Sequence, residues 1–285
     1  MIPYIRRVTS NKNMICPNLY NIDFVILIPC YNNFDGLINS IRSINYTEEK
    51  FFILIIDDGS DEVVTIEQVK QGVSGLVNIE IITHQNNQGI TKALNNGLEY
   101  IYTNFSAKYI ARLDCGDICS PERFYKQIAF FDQQPDVHLT GTWCYFKNAL
   151  TGEGYSYSTP VEHNKIKQKM YFKNVFIHPT VMWRIAGVGR LKYPEQYPFA
   201  EDYGLFYEMI SKVKSAIINE FLVTCEINYN GISISNRRQQ LKSRLKVIKD
   251  NSSNTLLLFM GVIKIYILMI TPNRLVFIAK SKLSM

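Results

Sequence analysis

The strongest constraint on this chain is a repeated alternation. Short, continuous apolar runs end at polar clusters and give way to segments with apolar residues at helical spacing. Phe24-Val25-Ile26-Leu27-Ile28 stops at Pro29, and Phe51 to Ile56 ends in Asp57-Asp58-Gly59-Ser60. Ile79 to Ile82 is a third run, and Tyr109 to Leu113 ends in Asp114. Runs of this length without polar alternation suit strands buried on both faces. Between them Leu37, Ile38, Ile41 and Ile44 recur at helical spacing, and a polar helix is expected from about Asp61 to Ser74. Ile90 to Tyr102 reads as a helix with Ala93, Leu94, Leu98 and Ile101 inward. Ser120 can N-cap the next helix, with Pro121 at its first position. Val137 to Tyr145 reads as a further strand; the alternation then weakens until a helix resumes at Glu201. Met1 to Asn21 show no period and are expected to form a leader packed on the domain.

Strands alternating with helices imply right-handed βαβ units and a mainly parallel sheet. Ligands of such sheets bind at the carboxyl ends of the strands. The clusters Cys30 to Asn33, Asp57 to Ser60 and Asp114 to Asp117 all fall on that edge, which is therefore the expected binding edge.

With 285 residues the chain can build one large domain, or a domain plus an appendage, without disulfide staples. The six cysteines (Cys16, Cys30, Cys115, Cys119, Cys144, Cys225) lack the paired spacing of a zinc site and read as free thiols in a reducing compartment. The net charge of +6 is too modest to argue for a nucleic-acid partner. Arg6 and Arg7 are not followed by an apolar core, so no signal peptide is expected and the chain reads as cytoplasmic.

Carboxylates after a strand suit a hard divalent cation, Mg²⁺ or Mn²⁺, which can neutralise charge developing on a diphosphate leaving group. Asp114 and Asp117 can reach one such ion. Cys115 and Cys119, without other convergent ligands, read as structural.

Four pieces in order carry a resemblance. Ile28-Pro29-Cys30-Tyr31-Asn32-Asn33, Ile56-Asp57-Asp58-Gly59-Ser60, Asn87-Gln88-Gly89 with Ala93, Asn95 and Gly97, and Ala111-Arg112-Leu113-Asp114-Cys115-Gly116-Asp117 resemble successive motifs of family 2 glycosyltransferases. The match runs from about Phe24 to Tyr207. It implies an α/β fold of the GT-A type, a mixed, mainly parallel sheet flanked by helices, with a UDP-sugar donor and Mn²⁺ or Mg²⁺ as cofactor. By the same resemblance Pro29 and Tyr31 line the base pocket, and Asp57 or Asp58 accepts a hydrogen bond from the base, expected to be uracil. Lys92 and Arg112 lie near the nucleotide, Asp114 meets the ribose or the metal, and Asp117 faces the metal and diphosphate. One departure stands out: the family commonly has Asp-x-Asp-Asp where this chain has Gly116 in the third position. Either Asp117 substitutes through a shift of the loop, or metal binding is weakened.

The second half extends the resemblance. Phe176-Ile177-His178-Pro179-Thr180-Val181-Met182-Trp183 is similar to a segment shaping the sugar and acceptor pocket, with His178 a metal or phosphate contact or a packed loop histidine. Ala200-Glu201-Asp202-Tyr203 resembles the motif whose carboxylate deprotonates the acceptor hydroxyl. Asp202 is the expected base, with Glu201 second; the plain alternative is two acids favouring a helix N-terminus.

From Arg237 to Met285 ten basic residues stand against the single acid Asp250, so the positive field belongs to the C-terminal end. Leu256 to Ile270 is apolar apart from Gly261 and Lys264, and shorter than the roughly 20 residues that span a bilayer. A helix on an anionic membrane surface is expected, and packing on the catalytic domain is the rival. The organisation expected is a glycosyltransferase domain over residues 1–235, with 24–118 nucleotide-binding and 119–235 acceptor-binding and catalytic, then a basic, apolar helical extension over 236–285. The function expected is inverting transfer of galactose or glucose from its UDP donor to a lipid-linked saccharide, on the inner face of the cytoplasmic membrane. Gly116 motivates the alternative of a non-catalytic nucleotide-sugar-binding protein with a degenerate metal site. A nucleotidyltransferase is disfavoured, because Cys30-Tyr31-Asn32-Asn33 is not a glycine-rich phosphate loop.

Overall fold

The apolar runs become the middle of one sheet. The computed structural model describes residues 6–9, 21–47, 50–73, 78–148, 151–227 and 236–271. Its strands are β1 (Arg6–Thr9), β2 (Asn21–Cys30), β3 (Phe51–Asp57), β4 (Ile79–Thr83), β5 (Ser106–Arg112), β6 (Ile118–Cys119), β7 (Val137–Lys147), β8 (Gly154–Tyr157), β9 (Met182–Arg184) and β10 (Lys214–Glu226). Their order is β1-β4-β3-β2-β5-β9-β7-β10-β6, with β8 paired to β7. The block β4-β3-β2-β5 is parallel, as is the pair β7-β10, whereas β9 runs antiparallel to both β5 and β7. This is the mixed, mainly parallel sheet expected of the chain.

Period-two alternation divides the central strands between two cores. Val25 and Leu27 of β2 and Leu54 and Ile56 of β3 face α3 (Ile90–Asn104), packing on Leu94, Leu98 and Ile101. Phe24, Ile26, Ile28, Ile53 and Ile55 face the other way, on Leu37 and Ile41 of α1 (Phe34–Arg42) and Phe124 of α4 (Arg123–Gln133). Each such side chain, fully buried, stabilises the fold by roughly 1.5–3 kcal/mol. Because β2, β3 and β5 are parallel neighbours, the loops that follow them open on one edge.

Several boundaries differ from expectation. Residues 6–9 add an antiparallel edge strand to β4, which four residues are too few to announce by periodicity. Helix α2 covers only Ile66–Gly72, because Thr65 and Gln68 close a capping box there. Helix α4 begins at Arg123, and Ser120 serves the preceding turn, its carbonyl accepting from Arg123 N at 3.0 Å.

Beyond the sheet lie α5 (His163–Met170), α6 (Ile185–Val188), α7 (Glu201–Lys212), α8 (Arg237–Asn251) and α9 (Thr255–Ile270). Leu241, Val247 and Ile248 of α8 and Ile265 of α9 join the same core as α7. The helical extension is therefore packed on the domain along one side. Along the other, Leu256, Phe259, Met260, Ile263, Tyr266, Ile267 and Ile270 remain exposed. Among the described residues no helix is long and apolar enough to cross a membrane.

Candidate active site

The loops after β2, β3 and β4 are tied together by carboxylates. Asp57 is wholly buried and accepts from Ser60 N and Val64 N, each at 3.0 Å. Asp58, also buried, accepts from Gln88 N at 3.0 Å and Gly89 N at 2.9 Å, with His84 Nδ1 2.7 Å away. Both expected base-binding acids thus brace the loops that would surround a base. Asn32, in left-handed backbone at φ +49°, exchanges hydrogen bonds with Asp61 and donates its own N–H to Ser60 Oγ. Pro29 is buried at the end of β2, and Tyr31 stands half exposed just beyond it. Lys92 is exposed in the first turn of α3, whose N-terminal amides have no side-chain cap. Uncapped amides beside a lysine favour an anion.

Arg112, at the end of β5, has no exposed surface. Its Nη1 donates to the carbonyls of Leu27 and Leu113, Nη2 to Asp114 Oδ1, and Nε to His178 Nε2 at 3.2 Å. The same His178 nitrogen lies 2.7 Å from the Tyr193 hydroxyl. Burial, and then the Arg112 cation, push the His178 pKa down to about 3, so the ring is neutral. His178 therefore steadies Arg112, and Arg112 steadies Asp114. The Asp114 side chain keeps 37% of its surface exposed.

Asp117 turns the other way. It is buried, accepts from Glu226 N at 2.9 Å, and is pushed well above the usual carboxylate range by burial and then by the Asp114 charge. At Gly116, where φ is +99°, an added Cβ would lie 3.0 Å from Glu226 Oε2. The carboxylate of Glu226 thus stands where a longer residue at 116 would have to go. Among the described residues no three His, Cys, Asp or Glu side chains converge as ligands. Of the three expected metal contacts, only Asp114 keeps a partly exposed carboxylate. It fits a Mg²⁺ or Mn²⁺ ion carried by a diphosphate, since such ions often take one or two protein carboxylates plus substrate phosphates. Cys115 and Cys119 do not converge either: Cys115 Sγ donates to Pro29 O, and Cys119 Sγ accepts from Arg123. A cavity of about 480 Å³ beside Gly116, lined by Arg42, Lys147 and Glu226 among others, includes neither Asp114 nor Asp202.

The first turn of α7 carries Glu201 and Asp202. Phe199, just before it, is in left-handed backbone at φ +63°, a conformation disfavoured for a bulky side chain and common near working sites. Asp202 is partly exposed; its Oδ2 accepts from Asn174 Nδ2 at 2.9 Å and its Oδ1 from Tyr203 N at 2.7 Å. Burial raises its pKa, the Asp114 charge adds to that, and the two hydrogen bonds and Arg244 oppose it. Glu201 is buried with one oxygen, Oε2, lacking a partner among the described residues, and burial and then the Asp202 charge raise its pKa. Asp114 influences both acids, and Tyr193 feels all three together with Arg112. The two halves of the chain therefore meet at Tyr193. Asn95 of α3 holds that residue, accepting from Tyr193 N at 2.7 Å and donating to Tyr193 O at 2.9 Å.

Asn174, Tyr193 and Glu226 carry no local sequence signal, because each acts on a partner 15 or more residues away. Asn95 is visible as a motif position, but its partner is not.

Known proteins bear on this arrangement. Residues 25–189 match the profile of glycosyl transferase family 2. An uncharacterised glycosyltransferase of Haemophilus influenzae is 31% identical over 81% of this chain and 74% of its own length. The O-antigen biosynthesis glycosyltransferase WbnJ of Escherichia coli is 29% identical over 73% of this chain and 80% of its own. Among solved structures, TarS 1-349 of S. aureus in complex with UDP-GlcNAc superposes with a TM-score of 0.63 at 15% identity, covering 85% of this chain and 72% of that one. That likeness is one of fold.

Proposed function

Because the chain belongs to glycosyl transferase family 2, we propose that it moves galactose or glucose from a UDP-sugar to a lipid-linked saccharide, inverting the anomeric centre. The product would be part of a surface polysaccharide such as an O-antigen or capsule, the setting of the relative WbnJ. The observation that carries this reading is Asp202: a partly open carboxylate, fixed by Asn174 and raised in pKa, in electrostatic contact with Asp114.

Inverting displacement needs a base within hydrogen-bond reach of the acceptor hydroxyl. Asp202 takes that proton as the acceptor oxygen attacks the anomeric carbon, and the bond from that carbon to the diphosphate oxygen breaks. A raised pKa makes it a stronger base than an exposed aspartate. Asn174 fixes the carboxylate's direction, leaving its remaining lone pairs to the substrate. On the leaving side, the α3 amides and Lys92 meet the diphosphate, and Arg112 aims Asp114. A Mn²⁺ or Mg²⁺ ion held by Asp114 and the donor phosphates would supply Lewis-acid stabilisation of the leaving group. The exposed apolar face of α9, with Arg238, Lys242, Lys246 and Lys249 exposed along α8, suits peripheral attachment to an anionic membrane on its cytoplasmic side.

Gly116 supports a second reading, a nucleotide-sugar binder without activity. The two are separated by a screen of UDP-galactose and UDP-glucose for hydrolysis and transfer with Mn²⁺, Mg²⁺ or chelator, beside UDP binding. Asp202→Asn is expected to lower transfer by about 10²–10⁴-fold and leave UDP affinity unchanged. Turnover that persists in the variant puts the base elsewhere. UDP binding with no turnover by the unaltered protein favours the second reading.

A further inference from the structure

Four cations from three helical segments gather around the bend that follows α5. Lys169 lies in the last turn of α5, Lys173 just beyond it, Arg244 on α8 and Lys264 in the middle of α9. Arg244 Nη2 donates to Phe172 O at 3.3 Å. Lys264 Nζ lies 5.9 Å from the centre of the Phe172 ring. Lys173 Nζ donates to the Tyr157 hydroxyl at 2.7 Å and sits over that ring. Helix α9 reaches the bend because Gly261 packs directly on Tyr171 O, where any Cβ would collide.

Among the described residues no acid is ion-paired to this cluster, and Arg244 acts on the Asp202 carboxylate only electrostatically. The ion pairs found among the described residues join other lysines and arginines to their acids, and none involves these four. Lys264 interrupts an otherwise apolar helix and is half buried. Burial, and then Arg244, Lys169 and Lys173, push its pKa down to about 8. Like charges held together without a counter-ion repel, so the cluster is stabilised when a multiply charged anion enters it.

Its position says which anion. Two residues past Phe172, Asn174 holds the carboxylate of Asp202, which itself feels Arg244. On the outer side of α9 the surface is apolar, from Leu256 to Ile270. A ligand with a sugar at one end, a diphosphate in the middle and a hydrocarbon at the other matches that sequence of surfaces. We propose that Lys169, Lys173, Arg244 and Lys264 form the binding site for the diphosphate of a lipid-linked acceptor, with its sugar directed to Asp202 and its hydrocarbon along α9. The inference rests on the acceptor reading above and gives that acceptor a defined point of recognition.

The test uses farnesyl diphosphate as the probe, bound by the full-length protein with the donor site saturated by UDP. Lys264→Met, which suits an apolar helix, and Arg244→Gln are each expected to weaken its binding about tenfold, with UDP affinity unchanged. Lys264→Arg should retain binding. Thermal melts identify any variant that fails to fold, and Lys264→Met stands alone if Arg244→Gln does. Farnesyl diphosphate bound equally well by Lys264→Met overturns the proposal, as does an unaltered protein that binds UDP but not farnesyl diphosphate. Vesicles containing phosphatidylglycerol form the second arm: an equal loss on them makes the cluster a headgroup site and also overturns it. Failure of the transferase reading looks different, because the unaltered protein then shows no UDP binding or no sugar transfer.

Discussion

On the side proposed to take the donor, Asp57, Asp58 and Asp117 are closed into the fold. Asp57 and Asp58 take backbone N–H groups from two loops, those after β3 and β4, and Asp117 takes one from the end of β10. On the side proposed to take the acceptor, charge is left open: among the described residues Glu201 has an oxygen without a partner and the four cations are in no ion pair, and Asp202 is raised in pKa. The donor loops therefore hold their shape before any nucleotide arrives. The side proposed to take the acceptor carries a standing electrostatic cost, which under that proposal the substrate relieves.

The contrast is tested most severely at Asp58. Asp58→Ala removes the acceptor for Gln88 N and Gly89 N and the neighbour of His84, and is expected to destabilise the fold by about 2–4 kcal/mol. UDP binding should fall with it, since the loops after β3 and β4 lose their common anchor. Urea unfolding and UDP titration measure both effects. A variant of unchanged stability would mean that Asp58 serves a ligand rather than the loops.

Gly116 comes next in size. Gly116→Asp restores the carboxylate common in the family, yet the backbone there is left-handed and the new side chain would meet Glu226. A loss of ~1–3 kcal/mol is expected, with no gain in Mn²⁺ binding. A variant that melts like the parent and binds Mn²⁺ more tightly would show that the loop can recover a metal site, weakening the view of a closed donor side.

Legibility follows the same divide. The buried strands and the three polar clusters could be read because each lies within one short stretch, where apolar periodicity and turn residues act locally. Even there the sequence places Asp57 and Asp58 at a strand end without showing that their oxygens face backbone amides, those of Asp58 belonging to the loop after β4. Strand β9 was hidden because three residues make no pattern, and it enters the sheet antiparallel between β5 and β7. The links Arg112 to His178, Asn95 to Tyr193 and Asn174 to Asp202 span 66, 98 and 28 residues, so only tertiary packing creates them. For α9 the expected packing on the domain holds along one side and the other side stays exposed, because its apolar residues run almost all the way round and only some find a partner.

Glu201 gives the smallest effect and the one whose sign is most telling. Its pKa is raised in the folded chain, by burial and by Asp202, above that of an exposed glutamate. Between the unfolded and folded values the folded state binds more protons, so stability falls with rising pH. The contribution is complete below the unfolded pKa, near about 4.3, and is lost as pH climbs through the folded one. Glu201→Gln removes that loss and gives the buried position an amide instead of a charge. At pH 8 it should be more stable than the parent by about 1 kcal/mol, or ~2–4 °C in Tm, and near pH 4 the difference should vanish. Transfer should persist, because Asp202 remains. Melting curves at the two pH values, with a transfer assay beside them, decide the point. A variant less stable at pH 8 and inactive would make Glu201 the working base with a partner of its own, and the open charge of the acceptor side would then rest on the cations alone.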